Sequence, residues 1–194
     1  MTILYTNGDF HTMAAQASNQ YITASDDVKY EYIRGLPHPD NLAVSWSVLL
    51  SKLLKSSLHF KAELGNTITS IINTTREWAD KHKNNQPLII IQWDLPIDSE
   101  QVHEEIWKLH QILNIKKIDH IFFNSNNSFN NITKQYDWGD SYVLPYVKEG
   151  TYINLINSAG IETIMPNSIY FGKNGHLWWS NYLLNYLLTH NFIK

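Results

Sequence analysis

The 194-residue chain contains no cysteine. Disulfides, thiolate metal sites and a thiol nucleophile are therefore excluded, and the fold does not depend on an oxidising compartment. Charged residues make up only 17% of the chain, and its net charge of −3 lacks the basic footprint of nucleic-acid-binding proteins. Long apolar runs are also missing, since no segment approaches the roughly 20 residues that a membrane span needs. The composition thus argues against nucleic-acid and membrane partners.

The start of the chain lacks the basic residues and apolar run of a secretory signal, so we expect a protein that is not secreted. The length suits a single domain over residues 1–194 with a core of its own. Aromatic residues are plentiful, with seven Trp and eleven Tyr, and they fill a core or form a contact surface. No cofactor and no metal is expected.

The first apolar run, residues 3–7, breaks at Gly8, and a polar cluster then opens what we predict to be a short helix over residues 11–20. Strand, tight turn and helix together form the geometry of a nucleophile elbow, which lifts one side chain onto the carboxyl edge of a sheet. That raised residue is Phe10. Its benzyl side chain can neither attack a carbonyl group nor relay a proton, so this turn lacks the residue type that the chemistry needs.

Further along the chain, helical and strand periodicities alternate. The patterns predict helices over residues 42–55, 68–82, 99–113, 149–159 and 176–189, and strands over residues 58–62, 87–93, 118–123 and 161–165. Residues 21–40 are predicted to form a long surface excursion, and residues 132–147 are irregular. The alternation predicts an α/β protein in which a central five-stranded parallel sheet lies between two layers of helices.

The carboxyl ends of parallel strands meet at one edge of a sheet, and this edge carries the ligand sites of such folds. The turns at residues 7–11, 65–67, 92–94 and 124–127 all follow predicted strands or precede a predicted helix there. The ligand-binding residues that we predict in these turns are Asn7, Gly8, Phe10, His11, Gly65, Asn66, Trp93, Asp94 and Asn124.

Three residues are candidates for catalysis. Asp9 either acts as a carboxylate nucleophile or accepts hydrogen bonds from the turn amides. Thr12 has a hydroxyl but lies beyond the elbow. His176 opens the last predicted helix near the same edge, where it serves as a general base or as a capping and packing residue.

Other residues with potentially catalytic or metal-binding side chains are poorer candidates for a site. Gly139-Asp140-Ser141 follows Asp137-Trp138 rather than an apolar strand, so it forms no elbow. His103 and His110 lie two helical turns apart on one helix face, too far to share a metal ion without a third ligand. We interpret both histidines as part of a solvated face.

With Asn7–Thr12 and Phe171–His176, the chain resembles the SGNH/GDSL hydrolase superfamily. It resembles more narrowly the short hydrolase-like proteins encoded by tailed phages of cyanobacteria. The stretches behind the narrower likeness are His38–Trp46, Thr74–Trp78, Ile90–Trp93, Phe122–Asn124 and the aromatic last helix. The resemblance implies a flavodoxin-like three-layer domain whose active members cleave esters or acetyl groups. Their serine lies in the first block, their base is a carboxyl-terminal histidine, and amides with an asparagine stabilise the oxyanion.

The match departs from the family where the chemistry lies. The family's serine position is Phe10, and Thr67-Ile68 stands where an oxyanion asparagine is usual. Residues 94–98 replace a segment that carries Thr and Arg-x-Glu. The acid normally found three residues before the histidine base is Lys173. Four departures at one edge indicate a dismantled site.

The resemblance leads to three hypotheses. The first is a degenerate, catalytically inactive hydrolase-like phage protein, kept as a ligand-binding, accessory or virion structural protein. The second is an active esterase or deacetylase that uses Thr12 or Asp9 as a displaced nucleophile and His176 as base. The third is a module that binds a host or virion protein. The implied partners are an acylated or acetylated small molecule or glycan, or a virion or host protein, and the implied location is the host cytoplasm or the virion.

Overall fold

A parallel β-sheet forms the centre of the fold. The computed structural model describes residues 3–15, 17–18, 38–63, 65–97, 99–130, 132–166 and 168–193. The strands are β1 (Ile3–Asn7), β2 (Ser57–Phe60), β3 (Leu88–Trp93), β4 (Asp119–Asn124) and β5 (Tyr142–Val143). They lie in the order β2-β1-β3-β4-β5, and every neighbouring pair is parallel. The predicted α/β class with a five-stranded parallel sheet is confirmed.

Helices cover both faces of this sheet. They are α1 (Pro39–Val44), α2 (Trp46–Leu53), α3 (Ile68–His82), α4 (Glu100–Ile115), α5 (Tyr152–Ser158) and α6 (Lys173–Thr189). Successive strand side chains point to opposite faces. Tyr5 and Ile89 therefore pack in one core with α3 and α4, whereas Leu4 and Ile90 pack in a second core with α2, α5 and α6. The result is a three-layer α/β/α arrangement.

The elements with the strongest sequence signals lie where the periodicity places them. Helix α3 covers the predicted residues 68–82, and the Thr67 hydroxyl caps it by accepting a hydrogen bond from the Ser70 amide at 3.2 Å. Strand β3 begins directly after Pro87 and is buried along its whole length, as an apolar run in a parallel sheet should be.

The helix predicted over residues 11–20 is wrong for the described part of that range, because residues 11–15 form successive turns. Ala14 has a φ of 56°, in the left-handed region, which interrupts any helical run. The amides of Met13 and Ala15 donate to the carbonyls of Asp9 and Phe10. The segment therefore folds back against the first turn instead of leading away from it.

The helix predicted over residues 42–55 is broken at Ser45. This residue is extended, with φ −62° and ψ 149°; its amide closes α1 on the Leu42 carbonyl and its hydroxyl accepts from the Val48 amide to start α2. A single serine thus ends one helix and caps the next, which the continuous apolar periodicity conceals.

The last predicted strand, over residues 161–165, is wrong. Thr163 forms only an isolated antiparallel bridge with Phe171, and the fifth strand is the dipeptide Tyr142-Val143, paired with Phe122 and Phe123. A two-residue strand has no periodicity to detect. The chain reaches β5 from β4 through an irregular loop, so the strict alternation of strand and helix fails at this one crossover.

The solvated-face interpretation of His103 and His110 is also wrong, since both side chains are buried. An aromatic loop before and after β5 covers α4. His103 of α4 stacks on Tyr136 of this loop, with 4.7 Å between ring centres, and its Nε2 atom hydrogen-bonds the hydroxyl of Tyr146, also in the loop, at 3.0 Å. The helical pattern alone does not reveal a loop that folds back over that face.

The surface excursion predicted over residues 21–40 lies outside the described residues except for its end, where His38 caps α1. Among the helices that the structure describes, none has the length and apolar character required to cross a bilayer.

Candidate functional site

The turn after β1 is tightly built. Gly8 has a φ of +156°, and a Cβ atom there would lie 2.4 Å from Thr12 Oγ1, so a larger residue would collide with the folded-back segment. Asn7 Oδ1 accepts hydrogen bonds from the Gly8 amide at 2.9 Å and from Asn66 Nδ2 at 3.0 Å. The turn is thereby joined to the segment that enters α3.

Asp9 is buried inside this turn rather than presented to solvent. Its Oδ1 atom accepts from the His11 amide at 3.0 Å and from Gln92 Nε2, while Oδ2 has no hydrogen-bond partner. Burial, together with the nearby Asp94 carboxylate, raises the pKa of Asp9 to about 7. The carboxyl group is therefore substantially protonated near neutral pH.

Thr12 lies beneath the same turn and is fully buried. Its hydroxyl donates to Gln92 Oε1 at 2.7 Å. Gln92 thus holds Asp9 with its amide nitrogen and Thr12 with its amide oxygen, so one side chain of β3 fixes both. The Thr12 proton is already engaged in this contact.

His11 and His176 come from opposite ends of the chain and meet near the Tyr152 ring. The ring centres of His11 and Tyr152 are 5.4 Å apart, and those of Tyr152 and His176 are 6.3 Å apart. Burial lowers the pKa of both histidines to about 3, and His176 further disfavours a charge on His11. Both rings are therefore neutral under ordinary conditions.

We call Asp9, His11, Tyr152 and His176 the edge cluster. Each member is at most 4% exposed, and each has one buried polar atom without a partner: Asp9 Oδ2, His11 Nε2, the Tyr152 hydroxyl and His176 Nδ1. Buried polar atoms in native proteins nearly always have partners. Seven other buried atoms of the described residues also lack one, but they belong to Ser, Thr and Trp, so all the titratable side chains of this set lie in the edge cluster. The cluster is the most site-like part of the described chain.

Phe10 lies against one member of this cluster and against Tyr170. Its half-buried ring lies 4.5 Å from the His11 ring and 5.4 Å from the Tyr170 ring, between ring centres. In the turn after β1 the chain therefore places a phenyl ring against a neutral histidine. The arrangement can accept or donate a proton, but it offers no nucleophile there.

The remaining predicted ligand-binding residues are placed differently from one another. Gly65 is exposed beside Asn66, and the exposed Asp94 accepts a hydrogen bond from Ser125 Oγ at 3.0 Å. Trp93 is fully buried in the core against Phe122, and Asn124 Oδ1 is taken by the Tyr142 hydroxyl at 2.6 Å. The structure thus brings together Asn7, Gly8 and Asn66 but turns Trp93 and Asn124 inward.

Two residues of the site were missed by sequence reasoning. Gln92 is a polar residue inside the most apolar strand, and this interruption indicates that its side chain needs buried hydrogen-bond partners. Tyr152 has no such signal, because it begins a short helix after a long irregular stretch.

A groove of about 900 Å³ opens beside the amino end of α6. Its lining includes Ser18, Glu162, Ile164, Gly172 and Lys173. No three His, Cys, Asp or Glu side chains within the described ranges are placed to share a metal ion.

No protein-family model and no curated protein sequence matches this chain. Solved structures do match it over nearly its full length. One is TesA, with a TM-score of 0.56 and 10% identity, covering 97% of this chain and 99% of TesA. A second is a protein from Desulfitobacterium hafniense described as lipolytic and of the G-D-S-L family, with a TM-score of 0.55, 13% identity and coverages of 96% and 100%.

A third match is the psychrotrophic esterase EstA from Pseudoalteromonas sp., in a structure inhibited by monoethylphosphonate. It has a TM-score of 0.53, 9% identity and coverages of 97% and 98%. Identities this low establish the fold and leave the activity open. The chain has the α/β fold of GDSL lipolytic enzymes and esterases.

Proposed function

We propose that this protein is a non-hydrolytic member of the SGNH/GDSL hydrolase superfamily, of the kind encoded by tailed phages of cyanobacteria. It acts as a ligand-binding, accessory or virion structural protein. The observation that carries the proposal is the Phe10 ring, packed on His11 and Tyr170 at the elbow position. A nucleophilic hydroxyl is required for the family's acyl transfer, and a phenyl ring cannot supply one.

The displaced nucleophiles are less well supported. The Thr12 hydroxyl is buried and donates its proton to Gln92 rather than to His176. The Asp9 carboxyl, with its pKa raised to about 7, is held by Gln92 and the His11 amide beneath the turn. Both side chains are buried, Asp9 at 4% and Thr12 at 0% exposure, so neither is presented to an ester arriving from solvent.

His176 also lacks the acidic residue that orients the histidine base in the family. In the family resemblance, an acid three residues earlier orients the base; here Lys173 begins α6 at that position. His176 Nδ1 has no hydrogen-bond partner. A base without an orienting acceptor loses much of its catalytic advantage, which favours a retained fold over a retained reaction.

A role in binding remains part of the proposal. The groove beside α6 adjoins the segment that carries Tyr170 and Phe171, and it combines Lys173 and Glu162 with apolar side chains. An acetylated or acylated glycan, or a virion or host protein, is the partner that the sequence resemblance suggests. The host cytoplasm and the virion are the corresponding locations.

Hydrolysis assays test the proposal directly. The purified protein should release no product from p-nitrophenyl acetate or acetylated sugars and should resist labelling by a fluorophosphonate. Phe10→Ser should gain slow turnover and labelling because it restores the hydroxyl at the elbow. Phe60→Ser is the matched control, since it also exchanges a half-buried phenyl ring for a hydroxyl at this edge of the sheet. Wild-type hydrolysis that disappears in His176→Ala would contradict the proposal.

Mass spectrometry of purified phage particles tests the proposed location. A constant copy number per particle supports a virion structural role. Absence from particles, with capture of a defined ligand or host protein by the purified chain, supports the binding or accessory role instead.

A further inference from the structure

A second pair of buried histidines, His110 on α4 and His120 on β4, differs from the edge cluster in its hydrogen bonding. His110 Nδ1 and His120 Nε2 are 2.8 Å apart. The other nitrogen of each ring also has a partner: His120 Nδ1 lies 2.9 Å from the Ile118 carbonyl, and His110 Nε2 lies 2.9 Å from Asn114 Nδ2. All four ring nitrogens are therefore satisfied.

These contacts determine where the protons lie. A carbonyl oxygen only accepts, so His120 Nδ1 carries a hydrogen and, in the neutral ring, Nε2 is a bare acceptor. His110 Nδ1 must then be the donor in the contact between the rings. His110 Nε2 is consequently the acceptor for the Asn114 amide, and both rings are in the Nδ1–H tautomer.

We propose that the His110–His120 pair is a one-proton switch, which binds a proton at His110 Nε2 while the Asn114 carboxamide rotates to present its oxygen. The hydrogen bond between the rings survives this step, because His110 Nδ1 keeps its hydrogen. Asn114 is exposed, so its side chain is free to turn and the proton enters from solvent.

A second proton cannot be accommodated in the same geometry. It would have to bind His120 Nε2, where its hydrogen would face the Nδ1–H of His110 across 2.8 Å. His120 cannot turn over without losing the Ile118 carbonyl. The second proton therefore separates β4 from α4, whereas the first changes only the orientation of Asn114.

The surroundings favour His110 as the site of the first proton. Burial lowers the pKa of both rings to about 4. The exposed Asp137 carboxylate opposes this effect at His110, and the Ile118 carbonyl opposes it at His120, where a charge on His110 adds to the lowering. Trp107 on α4 and Trp138 in the loop before β5 lie 4.8 and 5.4 Å from the His110 ring, between ring centres, and aromatic faces stabilise a cation. His120 is packed instead against Phe122 and its neutral partner His110.

Nitrogen-15 NMR of histidine-labelled protein tests the switch. At neutral pH both rings should show the Nδ1–H tautomer. On acidification His110 should titrate below the ordinary histidine range, while His120 keeps its tautomer until the protein unfolds. An Nε2–H tautomer at His120, or simultaneous titration of the two rings, would overturn the proposal.

A pair of variants at Asn114 sharpens the test. Asn114→Asp supplies a permanent acceptor and should raise the pKa of His110 by about one pH unit or more, whereas Asn114→Leu should lower it. Asn185→Asp, which adds the same charge at an exposed position of α6, should leave it unchanged. If Asn114→Asp remains folded by circular dichroism and its His110 neither shifts nor titrates before unfolding, the switch does not exist.

Discussion

The edge cluster and the His110–His120 pair are both buried and both contain two neutral histidines, yet they treat their polar atoms in opposite ways. Each edge-cluster member leaves one polar atom without a partner, whereas each ring nitrogen of the pair has one. Burying an unpaired polar group costs stability, and a satisfied network avoids that cost.

This difference in hydrogen bonding distinguishes a structural pair from a candidate functional site. A fully satisfied pair explains its own presence, because it joins α4 to β4. The orphaned atoms at the carboxyl edge have no such structural explanation, and they lie where ligands bind in folds of this type. The edge cluster is therefore the candidate functional site, with the Phe10 ring packed on its His11, while the pair has a structural role.

Acidification should lower the free energy of unfolding through both histidine clusters, and this is the largest effect that we predict. Burial holds the pKa of His11 and His176 at about 3 and that of His110 and His120 at about 4. Because the folded values lie below the unfolded value of about 6.5, the stability these rings contribute is fully present above that pH and is lost as the pH falls towards the folded values.

Asp9 acts in the opposite sense. Its folded pKa of about 7 exceeds the unfolded value, so its contribution is present at low pH and lost as the pH rises towards 7. The four histidines bind more protons on unfolding than Asp9 releases. Between about pH 4 and about pH 6.5 the unfolded chain therefore carries more protons than the folded one. The free energy of unfolding should fall by about 1.4 kcal/mol per pH unit for each net proton. Urea unfolding at about pH 7.5 and about pH 5.5 measures this slope, and equal stabilities would contradict it.

Gly8→Ala should have the next largest effect, because it strikes the turn on which the edge cluster depends. The added methyl group would meet Thr12 Oγ1 and Gln92, and we expect a loss of about 3 kcal/mol in unfolding free energy. Gly160→Ala is the control: its φ is also positive, at +75°, but no atom lies near the new methyl group. A Gly8→Ala protein no less stable than Gly160→Ala would show that the turn is looser than described.

Replacing one histidine in each cluster compares them directly. His120→Phe orphans the Ile118 carbonyl and the His110 donor and should cost about 2 kcal/mol. His176→Phe removes an atom that has no partner, so its unfolding free energy should stay within about 1 kcal/mol of wild type. Chemical denaturation of both variants measures the difference, and a reversed order would remove the distinction between the clusters.

Phe10→Ala should have the smallest effect on stability, about 1 kcal/mol, because the ring is only half-buried. It should nevertheless expose the His11 ring to carbethoxylation by diethyl pyrocarbonate, as read by peptide mass spectrometry. His110, beneath Trp107 and Trp138, should remain protected, and Phe60→Ala should not expose His11. Unchanged His11 labelling in Phe10→Ala would mean that Phe10 is not its cover.

Long, strongly periodic segments could be predicted well. Helix α3 and strand β3 follow from spacing, a capping threonine and a preceding proline, all of which are local properties of the chain. Shorter elements could not. Strand β5 depends on its pairing with Phe122 and Phe123, about twenty residues earlier in the chain. The interruption at Ser45 is local, with hydrogen bonds to Leu42 and Val48, but the apolar periodicity runs through it without a break.

The candidate site and its lack of a nucleophile stay predictions, and the contacts within it could not be predicted at all. The turn that carries Phe10 could be predicted from the apolar run and Gly8 before it, whereas the helix that would complete an elbow is not formed by residues 11–15. The link from Gln92 to both Asp9 and Thr12 is a contact across about eighty residues of chain, and the burial of His103 and His110 depends on a loop that folds back over α4.

The amino-acid sequence by itself determined the α/β class, the order of its strongest helices and strands, and the absence of a hydroxyl at the first turn. Hydrophobic period and residue chemistry are properties of the chain before it folds. Only the tertiary structure decided which histidines are buried, which of their nitrogens find partners, and that the Phe10 ring packs between His11 and Tyr170. Burial and hydrogen bonding arise between segments distant in sequence, and desolvation then determines whether each ionisable group keeps its charge.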